Sequence, residues 1–249
     1  MSGKKKTFIN LIIIIAVEFF LVAGVVWFFD PFYQYHEPFF DMEAVLNDRD
    51  NQMPGTIRNF QYDTLLVGSS AAENFDTDYL DNQYGCKALK VIRASGSAAD
   101  LLYYVEMAES ERELRDIFWC LDIFALNVSA EVTLYGDDIP RYLHTKTVLD
   151  DLPYVFNKEL LFEKIPAAVV SSIKGINTGG QAYNWAADKD FSAAGAMHFY
   201  DRPTGLEGDV VQVDITEEYA DTVRKNVELL SEQISAHPEI RYHFMVPPY

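Results

Sequence analysis

One long apolar run constrains this chain more than any other feature. Residues 8–29 read FINLIIIIAVEFFLVAGVVWFF, and Glu18 is the only charged residue among them. As an α-helix this run would be about 33 Å long, which is enough to cross the hydrocarbon core of a bilayer. The sequence therefore predicts a transmembrane helix over 8–29, so that everything after residue 29 folds on one side of the membrane.

The flanks of the run predict its orientation. Lys4 to Lys6 precede it, and Asp30 and Pro31 follow it. The positive-inside rule then gives a cytoplasmic tail over 1–7 and an extracytoplasmic remainder. The alternative is a cleaved signal peptide, but the run is long for one and no small-x-small cleavage site precedes Asp30. We expect a retained single-pass anchor in the cell membrane.

Glu18 is unusual because a carboxylate inside the bilayer is costly. It favours a membrane partner protein near Glu18, or local water. A protonated side chain with no function is the other interpretation.

Charge and cysteine usage narrow the classes of partner. The net charge is −18, with 38 acidic and 20 basic residues, which argues against nucleic acid or anionic lipid as a docking partner.

The chain has two cysteines and no CxxC motif, so we expect no zinc-type metal site. Outside the cytoplasm Cys86 and Cys120 could form a disulfide. The other interpretation is a buried Cys120 in a strand and an incidental Cys86.

The region after the run divides into two parts. Residues 30–59 are rich in aromatics and prolines (DPFYQYHEPFF), which predicts an extended stalk on the membrane face or the domain edge. Residues 60–249 predict an α/β domain, because short apolar strands alternate with helices and this spacing is typical of a parallel sheet with helices on both faces. The predicted strands are 62–67, 88–92, 116–121 and 240–246, and the clearest predicted helices are 98–110 and 215–236.

The middle of the domain is less regular. We interpret about 135–214 as a variable helical or cap insertion: 142–175 is predicted helical with breaks at Pro153 and Pro166, and 177–209 as loop or cap. The last predicted strand ends almost at the chain terminus. Since a doubly wound sheet normally continues with further helix and strand, we expect a C-terminally truncated domain.

Three loops supply candidate site residues. In an open parallel sheet, sites form at the carboxyl ends of the strands. Gly68-Ser69-Ser70 follows the first strand, Gly96 follows the second, and Asp122 or Asn127 follows the third. A serine in a sharp strand-to-helix turn exposes its hydroxyl beside backbone N–H groups. Small residues after a strand also serve simply as a tight turn, so the pattern alone leaves both interpretations open.

Four blocks together resemble the SGNH/GDSL hydrolase superfamily. They are YDTLLVGSSAAENFDTDYL, KALKVIRASGSAADLLYYVE, IFWCLDIFAL and IRYHFMVPPY. The anchor followed by an aromatic DPF segment is similar to the membrane-anchored branch of Gram-positive bacteria, which is related to proteins that O-acylate or deacylate cell-envelope polysaccharides and teichoic acids. The resemblance implies a flavodoxin-like fold, a cell-envelope glycan or acyl ester as substrate, and no cofactor.

The resemblance also implies roles for particular residues. Ser70 would be the nucleophile and would add its own N–H to an oxyanion hole. Gly96 would match the glycine of the second block, with its N–H facing the same reacting centre. Asn127 or Asp122 would stand for the family's asparagine and complete the oxyanion hole.

The family's Asp-x-x-His, whose histidine is the general base, does not occur in this sequence. Each of the five histidines is more simply a surface or packing residue; they are His36, His144, His198, His237 and His243. A serine without a base is a poor nucleophile, so we expect little esterase activity from this chain. The alternatives are a non-catalytic anchored glycan-binding or assembly protein of the same fold, or a membrane scaffold.

Overall fold

The computed structural model describes residues 3–134, 140–186, 189–190, 192–199 and 217–246. Within these ranges four strands form one parallel sheet in the order β2-β1-β3-β4. The strands are β1 (Thr64–Gly68), β2 (Ala88–Ile92), β3 (Asp116–Cys120) and β4 (Arg241–Met245). The predicted parallel α/β sheet is confirmed, and each strand lies within two residues of its predicted bounds.

The described residues also form nine α-helices. They are α1 (Gly3–Phe29), α2 (Arg49–Asn59), α3 (Thr77–Tyr84), α4 (Ala98–Glu111), α5 (Ile123–Asn127), α6 (Leu152–Val155), α7 (Ile165–Lys174), α8 (Ala193–Phe199) and α9 (Glu217–Ala236). Short 3-10 turns lie at 70–72, 141–144, 148–151 and 179–181, and a π-helical turn over 160–164 leads into α7.

After their first residues, Thr64 and Asp116, the two central strands contain no polar or charged side chain other than the Cys120 thiol, as expected for strands with both faces covered. All residues of β1 and β3 are buried, whereas β4 is half exposed. One face carries the main core, in which side chains of β1, β2 and β3 pack with side chains of α2, α4 and α9. On the other face Phe118 stacks on His243, with ring centroids 4.4 Å apart, and contacts Tyr84 of α3.

Residues 30–59 are folded into the domain, which corrects the prediction of an extended stalk. Met53 and Ile57 of α2 have no exposed surface and belong to the main core. The Gln52 side-chain amide donates to the carbonyls of Pro31 (2.8 Å) and Val45 (2.9 Å). Tyr33 and Leu46 join Met53 and Ile57 in the main core, whereas Phe32 packs with Val26 and Tyr154 in a second cluster. The burial of these side chains holds the segment against the domain.

Asp30 organises the junction between α1 and the domain. Its carboxylate accepts the backbone N–H groups of Gln34, Tyr35 and His36, and the Tyr154 hydroxyl donates to it at 2.7 Å. Burial raises the pKa of Asp30, while these four hydrogen bonds favour its charged form. The turn after α1 is therefore tied to the helical region around residue 154.

The middle region is helical in short pieces. Pro153 is the second residue of α6, where a missing N–H costs nothing, so it lies at a helix start. Pro166 follows the π-helical turn over 160–164, and the helix continues through it into α7. Helix α8 lies within the segment predicted as loop or cap, and residues 200–209 of that segment are outside the described residues.

Helix α1 is long and apolar enough to cross a membrane. Most of its side chains are exposed, although Val26 is fully buried against the domain.

Cys86 and Cys120 are both free thiols, so the structure has no disulfide between them.

Candidate functional site

A cleft of about 280 Å³ lies at the carboxyl edge of the sheet. It brings together Ser70, Gly96 and Asp122, which come from the loops after β1, β2 and β3. The parallel register explains this, since Gly68 lies opposite both Ile92 and Cys120 and the three strands end level with one another. The lining residues are Ser69, Ser70, Ser95, Gly96, Asp122, Phe124, Ala125 and Val128.

Ser69 and Asp122 form a buried pair at the base of the cleft. The Ser69 hydroxyl donates to Asp122 Oδ2 at 2.8 Å and accepts the Ala71 N–H at 3.3 Å. The other oxygen of Asp122 accepts the Phe124 N–H at 2.8 Å and so caps α5. This pair joins the loops after β1 and β3. Sequence reasoning missed it, although two neighbouring strands that end level place their following residues side by side.

Ser70 is exposed at the mouth of the cleft, in the turn where β1 gives way to the 3-10 helix of residues 70–72. The turn depends on Gly68, because a Cβ there would lie 2.7 Å from the Ala72 Cβ and 3.1 Å from the Cys120 Cβ. Among the described residues, neither the Ser70 hydroxyl nor its N–H has a hydrogen-bond partner. Both groups are therefore available to a ligand.

Gly96 lines the cleft, but its N–H is already used. It donates to the Arg93 carbonyl at 3.1 Å, in a turn where Ser95 has a φ of +55°. A Cβ on Gly96 would lie 2.3 Å from Arg93 Cγ. The glycine is thus required by the close approach of Arg93. This differs from the expectation that the Gly96 N–H faces the reacting centre.

The two other oxyanion-hole candidates also differ from their expected roles. The Asp122 carboxylate accepts hydrogen bonds at both oxygens, and its negative charge would repel an oxyanion. Asn127 is the last residue of α5 and does not line the cleft. Of the expected oxyanion donors, the Ser70 N–H is the one with no hydrogen-bond acceptor among the described residues.

No described histidine side chain lines the cleft. His243 Nε2 is 2.8 Å from Asp116 Oδ1, at the opposite end of β3 from Asp122. His144 Nδ1 lies 3.3 Å from the Tyr103 hydroxyl, and burial lowers the pKa of His144 to about 4. His237 lies between Glu109 and Glu239, and His36 contacts backbone carbonyls. The side chain of His198 is outside the described residues.

Lys90 has a lowered pKa but is held away from the cleft. Its Nζ donates to the carbonyls of Glu73 (2.9 Å) and Ala182 (2.6 Å), and burial lowers its pKa to about 8. It does not line the cleft. We interpret Lys90 as a structural link between the loop after β1 and the segment around residue 182.

The chain matches no protein-family model, no curated protein and no solved structure.

Proposed function

We propose that this chain is a membrane-anchored, extracytoplasmic serine esterase or O-acyltransferase of the SGNH type, acting on cell-envelope polysaccharide. The proposal is based on the environment of Ser70. Its hydroxyl is exposed, its N–H has no hydrogen-bond acceptor among the described residues, and it lies in one cleft with the loops after β2 and β3. The strand order 2-1-3-4 supports it, because it matches the first four positions of the flavodoxin-like order.

The proposed reaction passes through an acyl-serine. The Ser70 oxygen attacks the carbonyl carbon of an acyl ester while a base takes the hydroxyl proton. The Ser70 N–H stabilises the resulting oxyanion. The C–O bond to the glycan oxygen then breaks, and that oxygen leaves with the proton. Water releases the acyl group in hydrolysis, whereas a second hydroxyl accepts it in transfer.

The base is the part of this mechanism that the described residues do not supply. In the resembling family it is the histidine of Asp-x-x-His, and here no described histidine reaches the cleft. Asp122 is already bonded to Ser69 and Phe124. Among the described residues, the proposal therefore assigns the base to no side chain.

The same observation favours a second candidate, a non-catalytic anchored protein that binds or assembles glycan. Without a base, the hydroxyls of Ser70 and Ser95 remain hydrogen-bonding groups at the mouth of a cleft. They can hold sugar hydroxyls without any covalent step.

Chemical rescue separates the two candidates. The full chain in detergent is assayed on p-nitrophenyl acetate with and without imidazole, a base small enough to enter the cleft. The test variant is Ser70→Ala. The matched control is Ser95→Gly, which removes a hydroxyl from the same cleft at a position whose positive φ suits glycine. We expect only trace turnover without imidazole. With imidazole, the wild type and Ser95→Gly should exceed Ser70→Ala by about tenfold or more, as a general base contributes at least that much.

The other outcomes are equally informative. Equal imidazole-dependent rates in all three proteins would reject Ser70 as the nucleophile, and saturable glycan binding by such a protein would support the second candidate. Strong Ser70-dependent turnover without imidazole would show that a residue of this chain is already the base.

A further inference from the structure

We propose that the helical segment 149–176 is a second membrane contact, which inserts into the acyl-chain layer of the bilayer beside α1. This inference rests on the proposal that α1 spans a membrane, and it does not depend on the chemistry at Ser70. Three observations support it: the depth at which the segment meets α1, an exposed apolar stripe, and an aromatic cluster at the end of α1.

The first observation is depth. The rings of Phe19 and Phe156 have centroids 5.2 Å apart. Phe19 lies ten residues before Phe29, which places it about 15 Å along the axis from the end of α1. A hydrocarbon core is about 30 Å thick. If α1 spans the bilayer, Phe156 therefore lies among the acyl chains. Leu152 and Leu149 precede Phe156 in the same short helical stretch.

The second observation is an apolar stripe formed by Phe162, Pro166, Val170 and Ile173. These residues follow the spacing i, i+4, i+8, i+11, which places them on one face of the continuous helix over 160–174. All four are exposed, Phe162 by 78% and Ile173 by 81%. A water-soluble surface rarely leaves a continuous apolar row of this kind uncovered.

The opposite face of the same helices packs against the membrane helix. Leu160 and Ile165 share a buried cluster with Val26, and Phe29 packs against that cluster. The stripe therefore lies on a helix whose other face contacts the end of α1. Because the stripe is continuous with the surface of α1 that is proposed to span the membrane, we identify lipid as the partner that covers it.

The third observation is the aromatic cluster at the end of α1. The rings of Trp27 and Phe28 contact Phe39, and Phe40 is 88% exposed beside them. Aromatic residues concentrate at the headgroup level of membrane proteins. This cluster indicates the level of the interface, and Phe19 and Phe156 lie on the membrane side of it.

The charges near the stripe fit this placement. Lys174 is exposed at the end of the stripe that is farther from Phe156, and long basic side chains can reach from an apolar surface to the headgroups. Glu159 and Glu163 lie on the neighbouring row of the helix and limit the apolar face to one side. Because the chain as a whole is acidic, we attribute the contact to apolar burial and not to attraction by anionic lipid.

Spin-label accessibility tests this inference on the full chain in phosphatidylcholine nanodiscs. The background is Cys86→Ser; Cys120 is 1% exposed and remains unlabelled. Labels are placed one at a time at Phe162→Cys and Ile173→Cys. Ile13→Cys in α1 is the lipid control, and Tyr79→Cys, an exposed site of α3, is the aqueous control. We expect positions 162 and 173 to resemble position 13, with an oxygen-to-nickel-chelate accessibility ratio several-fold above that at position 79.

The controls separate failure of this inference from failure of the anchor. If position 13 is in lipid while positions 162 and 173 resemble position 79, the anchor stands and the second contact is rejected. If position 13 itself is aqueous, the proposed anchor fails. Shielding of 162 and 173 from both reagents would show that a protein covers the stripe, which also overturns the inference.

Discussion

Two adjacent serines at the end of β1 have opposite environments. Ser69 is 4% exposed and hydrogen-bonded to Asp122, whereas Ser70 is exposed and unbonded within the described residues. We expect Ser69→Ala to lower the free energy of unfolding by about 1–2 kcal/mol, because it removes a hydroxyl that donates to a buried carboxylate. Ser70→Ala should change it by less than about 0.5 kcal/mol. Thermal unfolding of the full chain in detergent, followed by near-UV circular dichroism, measures both. Equal losses would contradict the assigned environments.

The lowered pKa of His144 predicts how the stability of the domain depends on pH. Burial, with a smaller contribution from Arg58, lowers its pKa from 6.5 to about 4. As the pH falls from 6.5 towards 4, the unfolded chain takes up a proton that folded His144 does not. Its stabilising contribution is therefore complete above pH 6.5 and is lost as the pH falls towards 4. We expect His144→Gln to reduce the loss of melting temperature over this window relative to the wild type. Parallel pH profiles of the two proteins would contradict the prediction.

At the scale of elements, the approach of α2 to the turn after α1 depends on one glycine. A Cβ on Gly55 would lie 2.2 Å from the Phe32 carbonyl oxygen and 2.5 Å from that of Tyr33. Backbone atoms cannot move aside without separating the two elements, so Gly55→Ala should lower the stability of the domain by about 1–3 kcal/mol. Gly24→Ala is the matched control, since a Cβ there would meet no atom within 4 Å apart from the backbone of its own helical turn and its two chain neighbours. Thermal unfolding compares the two variants, and equal melting temperatures would argue against this packing.

At the scale of the whole molecule, the anchor predicts which side of the membrane the domain occupies. Lys4 to Lys6 should face the cytoplasm and the domain should lie outside. Protease added to intact protoplasts should therefore digest the domain, while a cytoplasmic marker protein stays intact. Full protection of the domain would reject this topology.

The sequence was sufficient to predict the sheet and which residues meet in the cleft at its carboxyl edge. Strands such as β1 and β3 are buried on both faces, so they stand out as short apolar runs between turn residues. Parallel strands with level ends then place the loops that follow them along one edge. This is why Ser70, Gly96 and Asp122 could be grouped before any distance was known. The apolar run over 8–29 likewise predicts α1 directly, because length and hydropathy are local properties.

Tertiary structure alone decided how those groups are used. The Ser69–Asp122 bond and the Gly96–Arg93 turn join atoms whose partners depend on strand register and loop conformation. The aromatic segment after α1 illustrates the same limit, since its composition suits either an extended stalk or a buried layer. Phe32 and Tyr33 of this segment are buried, because Gly55 lets their backbone approach α2 closely and Gln52 donates to the Pro31 carbonyl beside them. Local sequence determines which segments are apolar or tightly turned; which atoms they meet is determined by packing between segments that are distant in the chain.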